Sequence, residues 1–177
     1  EGAPTLSADG QTIVFTACEL PGYEYGETRT GLGSCDLFYS FRTKSGWTPA
    51  ENFGPGINSK NWETQPSLTA DGNTLYFVRG KKGKGGKIEN QNIYYSYLMD
   101  DGYWSEPSEI PGFVNTKGRE ESVFIHPDGQ TMYFSSDGHA GMGGLDIFVS
   151  HMQSNGDWGR PENLGYPINT SANENSI

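Results

Sequence analysis

The feature that most limits what this chain can fold into is an internal repeat. Glu1-Gly-Ala-Pro-Thr-Leu-Ser-Ala-Asp-Gly10 returns as Glu63-Thr-Gln-Pro-Ser-Leu-Thr-Ala-Asp-Gly72 and again as Glu120-Glu-Ser-Val-Phe-Ile-His-Pro-Asp-Gly129, and Glu174-Asn-Ser-Ile177 opens a further copy. Later landmarks keep the same step. Trp47, Trp104 and Trp158 are 57 and then 54 residues apart, as are Asn58, Asn115 and Asn169. Pro49, Pro107 and Pro161 follow the tryptophans by two or three residues. The repeat divides the chain into units 1–62, 63–119 and 120–173, with 174–177 beginning another.

Each unit reads as four short strands. In the second, 65–69 and 74–79 flank the tight turn Asp71-Gly72, and 92–98 and 104–110 flank Asp101-Gly102. Asp-Gly is the signature of turns joining antiparallel strands. Pro107 inside the fourth strand places that strand at a sheet edge. The second and third strands are aromatic and β-branched with little alternation, which suits sheets covered on both faces. Helix-free units of this length repeated in tandem predict an all-β fold, a β-propeller of four-stranded antiparallel blades. A β-sandwich is the alternative, but it has no need of the same Trp and Asn in every unit. Propellers typically need 4–8 blades, so the chain is expected to supply about three consecutive blades of a larger ring. A six-bladed closure would take the remaining blades from further chain or another chain.

Composition narrows the function classes. A hydrophobic content of 33% with net charge −10 lies near the disordered class, but 13% aromatic residues at recurring positions argue against disorder. No apolar run exceeds Leu75 to Val78, far short of the ~20 residues of a membrane-spanning helix or the ~7–15 of a signal-peptide core. Acidity makes nucleic acid and anionic membranes poor partners.

The two cysteines fall at one neck. Cys18 ends the second strand of the first unit and Cys35 begins the third. Antiparallel neighbours would bring them together, predicting a Cys18–Cys35 disulfide and an oxidising compartment. Two unrelated buried thiols are the alternative; the spacing fits no zinc motif.

Catalytic and cofactor signals are weak. His126, His139 and His151 lie at two ends of one unit, and no Gly-Xaa-Ser-Xaa-Gly elbow is present. Asp137-Gly-His-Ala-Gly-Met-Gly-Gly-Leu-Asp146 lacks the EF-hand ligand pattern; it reads as a Gly-rich turn whose Asp146, like Asp36 and Asn92 at the same repeat position, bonds loop backbone. Gly80-Lys-Lys-Gly-Lys-Gly-Gly-Lys87 lacks the Ser/Thr and helix of a phosphate loop and reads as a mobile solvated loop. Glu1, Glu63, Glu120 and Glu174 are either an acidic ring lining a channel or structural ties to backbone; Trp47, Trp104 and Trp158 read as blade packing. No cofactor, metal or catalytic residue is expected, and the chain is expected not to be an enzyme.

Three segments resemble a known repeat. Residues 8–15, 70–77 and 127–134, with turns at Asp9, Asp71 and Asp128, and the later Cys35-Asp-Leu-Phe-Tyr-Ser40, Gln91-Asn-Ile-Tyr-Tyr-Ser96 and Leu145-Asp-Ile-Phe-Val-Ser150, are similar to the WD40-like, TolB-type propeller repeat. Two copies depart by carrying Ala8 and Ala70 where the repeat has Pro, and one by Asn92 in place of Asp. The Trp-(Ser/Thr)-Xaa-Pro and Ile-Asn-Thr elements resemble the branch found in OmpA-family outer-membrane-associated lipoproteins of Bacteroidetes, including type IX secretion and gliding components. The resemblance implies a periplasmic, outer-membrane-associated scaffold whose partners are other envelope proteins. Any peptidoglycan contact would come through a domain absent from this chain. A propeller-based hydrolase or lyase, or the gating propeller of a peptidase, is the alternative. The loops between second and third strands vary most in length, and loops on a rigid scaffold carry recognition. The expected partner face therefore bears Tyr23, Tyr25, Arg29, Lys81, Lys82, Lys84, His139 and Met142; mere covering of the sheet ends is the alternative.

Overall fold

A computed structural model describes residues 2–19, 25 and 29–176. Glu1, Tyr23 and Ile177 lie outside the described residues. No α-helix occurs among the described residues, and no helix is long and apolar enough to cross a membrane.

The strands fall into three consecutive meanders. The first contains β1 (Gly2–Leu6), β2 (Thr12–Cys18), β3 (Cys35–Thr43) and a split fourth strand, β4 (Gly46–Trp47) and β5 (Glu51–Asn52). The second contains β6 (Trp62–Leu68), β7 (Thr74–Lys82), β8 (Ile88–Tyr97) and β9 (Ser108–Glu109), and the third β10 (Glu120–Ile125), β11 (Thr131–Ser136), β12 (Asp146–His151) and β13 (Glu162–Asn163). Within each, neighbours pair antiparallel in chain order. One parallel bridge, Cys35 opposite Trp62, links the first sheet to the second.

Local chemistry fixes these elements. The first turn of each sheet closes through the Gly10, Gly72 or Gly129 N–H donating to Ser7, Thr69 or His126, and each glycine has positive φ, as the turn requires. Asp9, Asp71 and Asp128 accept the N–H two residues on, from Gln11, Asn73 and Gln130. The fourth strand is interrupted, as prolines without an N–H dictate. Trp104 and Trp158 make single bridges to Leu98 and Met152, then Pro107 and Pro161 intervene before β9 and β13. Across the interruption, Ser40, Ser96 and Ser150 donate Oγ–H to the carbonyls of Thr48, Ser105 and Gly159.

The core lies between sheets. Along β7, Leu75 and Phe77 face the first sheet, meeting Val14, Leu37 and Ile57. Tyr76 and Val78 face the third, meeting Val123, Met132, Phe134, Phe148 and Trp158. Successive side chains of a strand point to opposite faces, so a strand covered on both sides needs a continuous apolar run. Burying a side chain such as Phe77 contributes about 1.5–3 kcal/mol.

Candidate binding surfaces

The end of the sheets bearing the β2–β3, β7–β8 and β11–β12 connections carries most of the expected partner residues. Two of these connections share one construction. Asp36 accepts the N–H groups of Leu32 and Gly33, and Asp146 those of Met142 and Gly143. Gly33 and Gly143 press against the carbonyls of Asn61 and Ala172, where a Cβ would fall 2.1 and 2.0 Å away. The second unit, with Asn92 in place of Asp, is built differently. Its strands extend into a hairpin, Lys81 opposite Glu89 and Lys82 opposite Ile88, with only residues 83–87 turning. Of the expected loop at 80–87, residues 80–82 are strand and 83–87 form the turn, because lengthening the ladder satisfies backbone groups that the other units satisfy with a carboxylate.

The partner residues divide by exposure. Lys81, Lys82, Lys84 and Met142 are exposed. Tyr25 is not available: it is 6% exposed, packs at a tilt against Phe38 and donates its hydroxyl to the Gly33 carbonyl. Arg29 lies over the rings of Phe15 and Phe38 and bonds the Tyr25 carbonyl. His139 packs against Phe134 and Phe148, and its Nε2 meets the Val114 carbonyl at 3.0 Å. These three cover sheet ends.

The repeated glutamates tie chain to chain. Glu63, Glu120 and Glu174 each accept the N–H and hydroxyl of the residue four positions back, Ser59, Thr116 and Thr170. Glu63 also takes Arg79 Nε at 2.8 Å, and Glu120 the Ser136 hydroxyl at 2.9 Å. Burial pushes both carboxyls above the ordinary glutamate value, opposed by those same partners.

At the opposite end, a cleft of about 870 Å³ opens between the first and second sheets. Tyr39, Phe53 and Trp104 form its aromatic wall, with ring centroids 4.8 Å (Tyr39–Phe53) and 5.9 Å (Phe53–Trp104) apart. Asp9 and Asp71, from the two Asp-Gly turns, stand among its lining residues. One side-chain difference stands at this place. In the second sheet Tyr76 fills the space before the third, its ring edge-on to Trp158 at 6.1 Å. The same repeat position in the first sheet is Val14, which lines the cleft and leaves that volume open. Sequence reasoning overlooked this site. Its signal was the mismatch of Ile-Val-Phe (13–15) with Leu-Tyr-Phe (75–77) and Met-Tyr-Phe (132–134).

No protein-family model and no curated protein matches the chain. Solved structures do. A periplasmic gluconolactonase from Pseudomonas aeruginosa matches with a TM-score of 0.52 at 16% identity over 93% of this chain. The tricorn protease matches with 0.50 at 10% identity over 90%. The chain spans 44% and 18% of those proteins. Both are β-propeller proteins, and the fold of this chain is a run of propeller blades. The expectation that the chain is not an enzyme is corrected by the same finding: both neighbours are named for an enzymatic activity. At such identity the likeness shows the fold and assigns no reaction.

Proposed function

We propose that the chain supplies consecutive blades of a larger β-propeller that serves as a protein-recognition module of a bacterial cell-envelope complex, periplasmic and associated with the outer membrane. The observation that carries recognition is the contrast between regular sheets and irregular connections at one end. Turns between first and second strands repeat one geometry, while the Lys81–Ile88 hairpin and the glycine-clamped loops differ and display Lys82 and Met142 to solvent. Loops held on a rigid frame are where binding residues concentrate.

A larger ring is supported by the open flank of the first sheet. Trp47 is 45% exposed, whereas its counterpart Trp158, covered by a preceding sheet, is 4% exposed. The Cys18–Cys35 disulfide fits an oxidising compartment.

The test places a photo-crosslinking amino acid at Lys82, Met142 or Ser154 in the native cell. Adducts with an envelope protein from Lys82 and Met142, but not from Ser154 on the opposite end, are expected. Equal adducts from all three positions, or fractionation of the protein with cytoplasm, would overturn the reading.

A further inference from the structure

We infer that the cleft between the first and second sheets is a second recognition site, one that takes an arginine side chain presented by a partner polypeptide. This inference is independent of the loop-end reading, since the cleft lies at the other end of the blades. Three observations carry it. First, the volume is built: Val14 vacates between sheets one and two the space that Tyr76 fills between two and three. At about 870 Å³ it falls within the range of ligand sites. Second, Tyr39, Phe53 and Trp104 give it a wall of π-faces, which attract guanidinium groups. Third, among the described residues its only charged lining residues are Asp9 and Asp71. Both carboxyls are held below the ordinary aspartate value, first by the Ser7 and Thr69 hydroxyls and then by the Gln11 and Asn73 N–H groups. Arg42 on β3 reaches the same turn, its Nη1 3.9 Å from where a Cβ on Gly10 would stand, but it is not among the cleft's lining residues.

Arginine fits better than lysine because its planar group stacks on rings while donating in a fork to carboxylates. The rim supplies further contact: Tyr103 lines the cleft and is 72% exposed, an aromatic of the kind that anchors interfaces. The net charge of −10 adds attraction for a basic segment.

The test is an NMR titration of the Trp104 indole N–H in the intact protein with a capped Gly-Ala-Arg-Ala-Gly peptide, against the same peptide carrying uncharged citrulline. The arginine peptide should bind saturably and the citrulline peptide at least about tenfold more weakly. Val14→Tyr, which places in the cleft the ring already accommodated one sheet later, should abolish binding. The pair Asp9→Asn and Asp71→Asn should weaken it about fivefold or more. If Val14→Tyr fails to fold, Tyr103→Ala, at an exposed site, takes its place as the test and should weaken binding about fivefold. Equal binding of the two peptides, unchanged binding to the folded Val14→Tyr protein or to Tyr103→Ala, or no shift at about 10 mM peptide would overturn the assignment.

Discussion

The side chain of Asn58 pairs with the backbone of Leu37 as a strand residue would: Oδ1 accepts the Leu37 N–H and Nδ2 donates to its carbonyl, both at 2.8 Å. Asn169 does the same with Ile147, and Asn115 with Ile93. A carboxamide carries donor and acceptor together, which explains why each unit has Asn here. Alanine leaves a buried N–H and C=O unpaired, so Asn58→Ala and Asn169→Ala should each lower the unfolding free energy by about 2–4 kcal/mol. Asn115→Ala should cost less, because water can reach that half-buried site. Urea denaturation of the three variants checks the order.

Cys18 and Cys35 stand directly opposite each other in the β2–β3 ladder and are bonded. Reduction should lower stability by about 3 kcal/mol, the chain-entropy value for a loop of roughly 15 residues, measured as a shift in the denaturation midpoint with and without reductant. An unchanged midpoint would show that the ladder alone holds the neck.

Two kinds of carboxylate should give opposite pH responses. Burial raises the Glu120 carboxyl, against bonds from Thr116 and Ser136 and the nearby His139. Its favourable contribution is therefore fully present below the unfolded value of 4.5 and is lost as pH rises through the raised folded value. Asp128 is held down at about 2, chiefly by the Gln130 N–H and also by Thr131 and His126. Its contribution is present above 3.8 and is lost as pH falls towards 2. Glu120→Gln should remove the first dependence and Asp128→Asn the second, read from unfolding free energies across a pH series.

Trp47 and Trp158 hold the same repeat position in different surroundings. Trp158→Ala should cost about 3–5 kcal/mol, as buried aromatic truncations do. Trp47→Ala in this chain alone should stay within about 1 kcal/mol. In an assembled larger propeller the Trp47 penalty should rise towards that of Trp158; if it does not, no sheet covers that flank.

Much of the architecture could be read directly. Asp-Gly turns, continuous apolar runs and spaced Trp and Asn residues placed the strands, because each is a local requirement of an antiparallel meander. Cys18 and Cys35 were legible for the same reason. Tyr25 and Arg29 were not: their types suit an interface, but the open end of the first sheet leaves Phe15 and Phe38 to be covered, and these side chains fold back to do it. Departures from the repeat were more informative than the repeat itself. Asn92 marked the hairpin, and Val14 marked the cleft.

Trp104 and Trp158 originate in one sheet but do their packing against the sheet before it. The period of the sequence and the cooperative element of the structure are therefore offset from one another. Removing one whole period would excise 57 residues neatly from the text of the protein, yet strand a new partner for every aromatic at the splice. Gain or loss of blades in such a chain is tolerable only where the neighbours on both sides present interchangeable faces, and the single Val-for-Tyr difference shows that those faces have already begun to diverge.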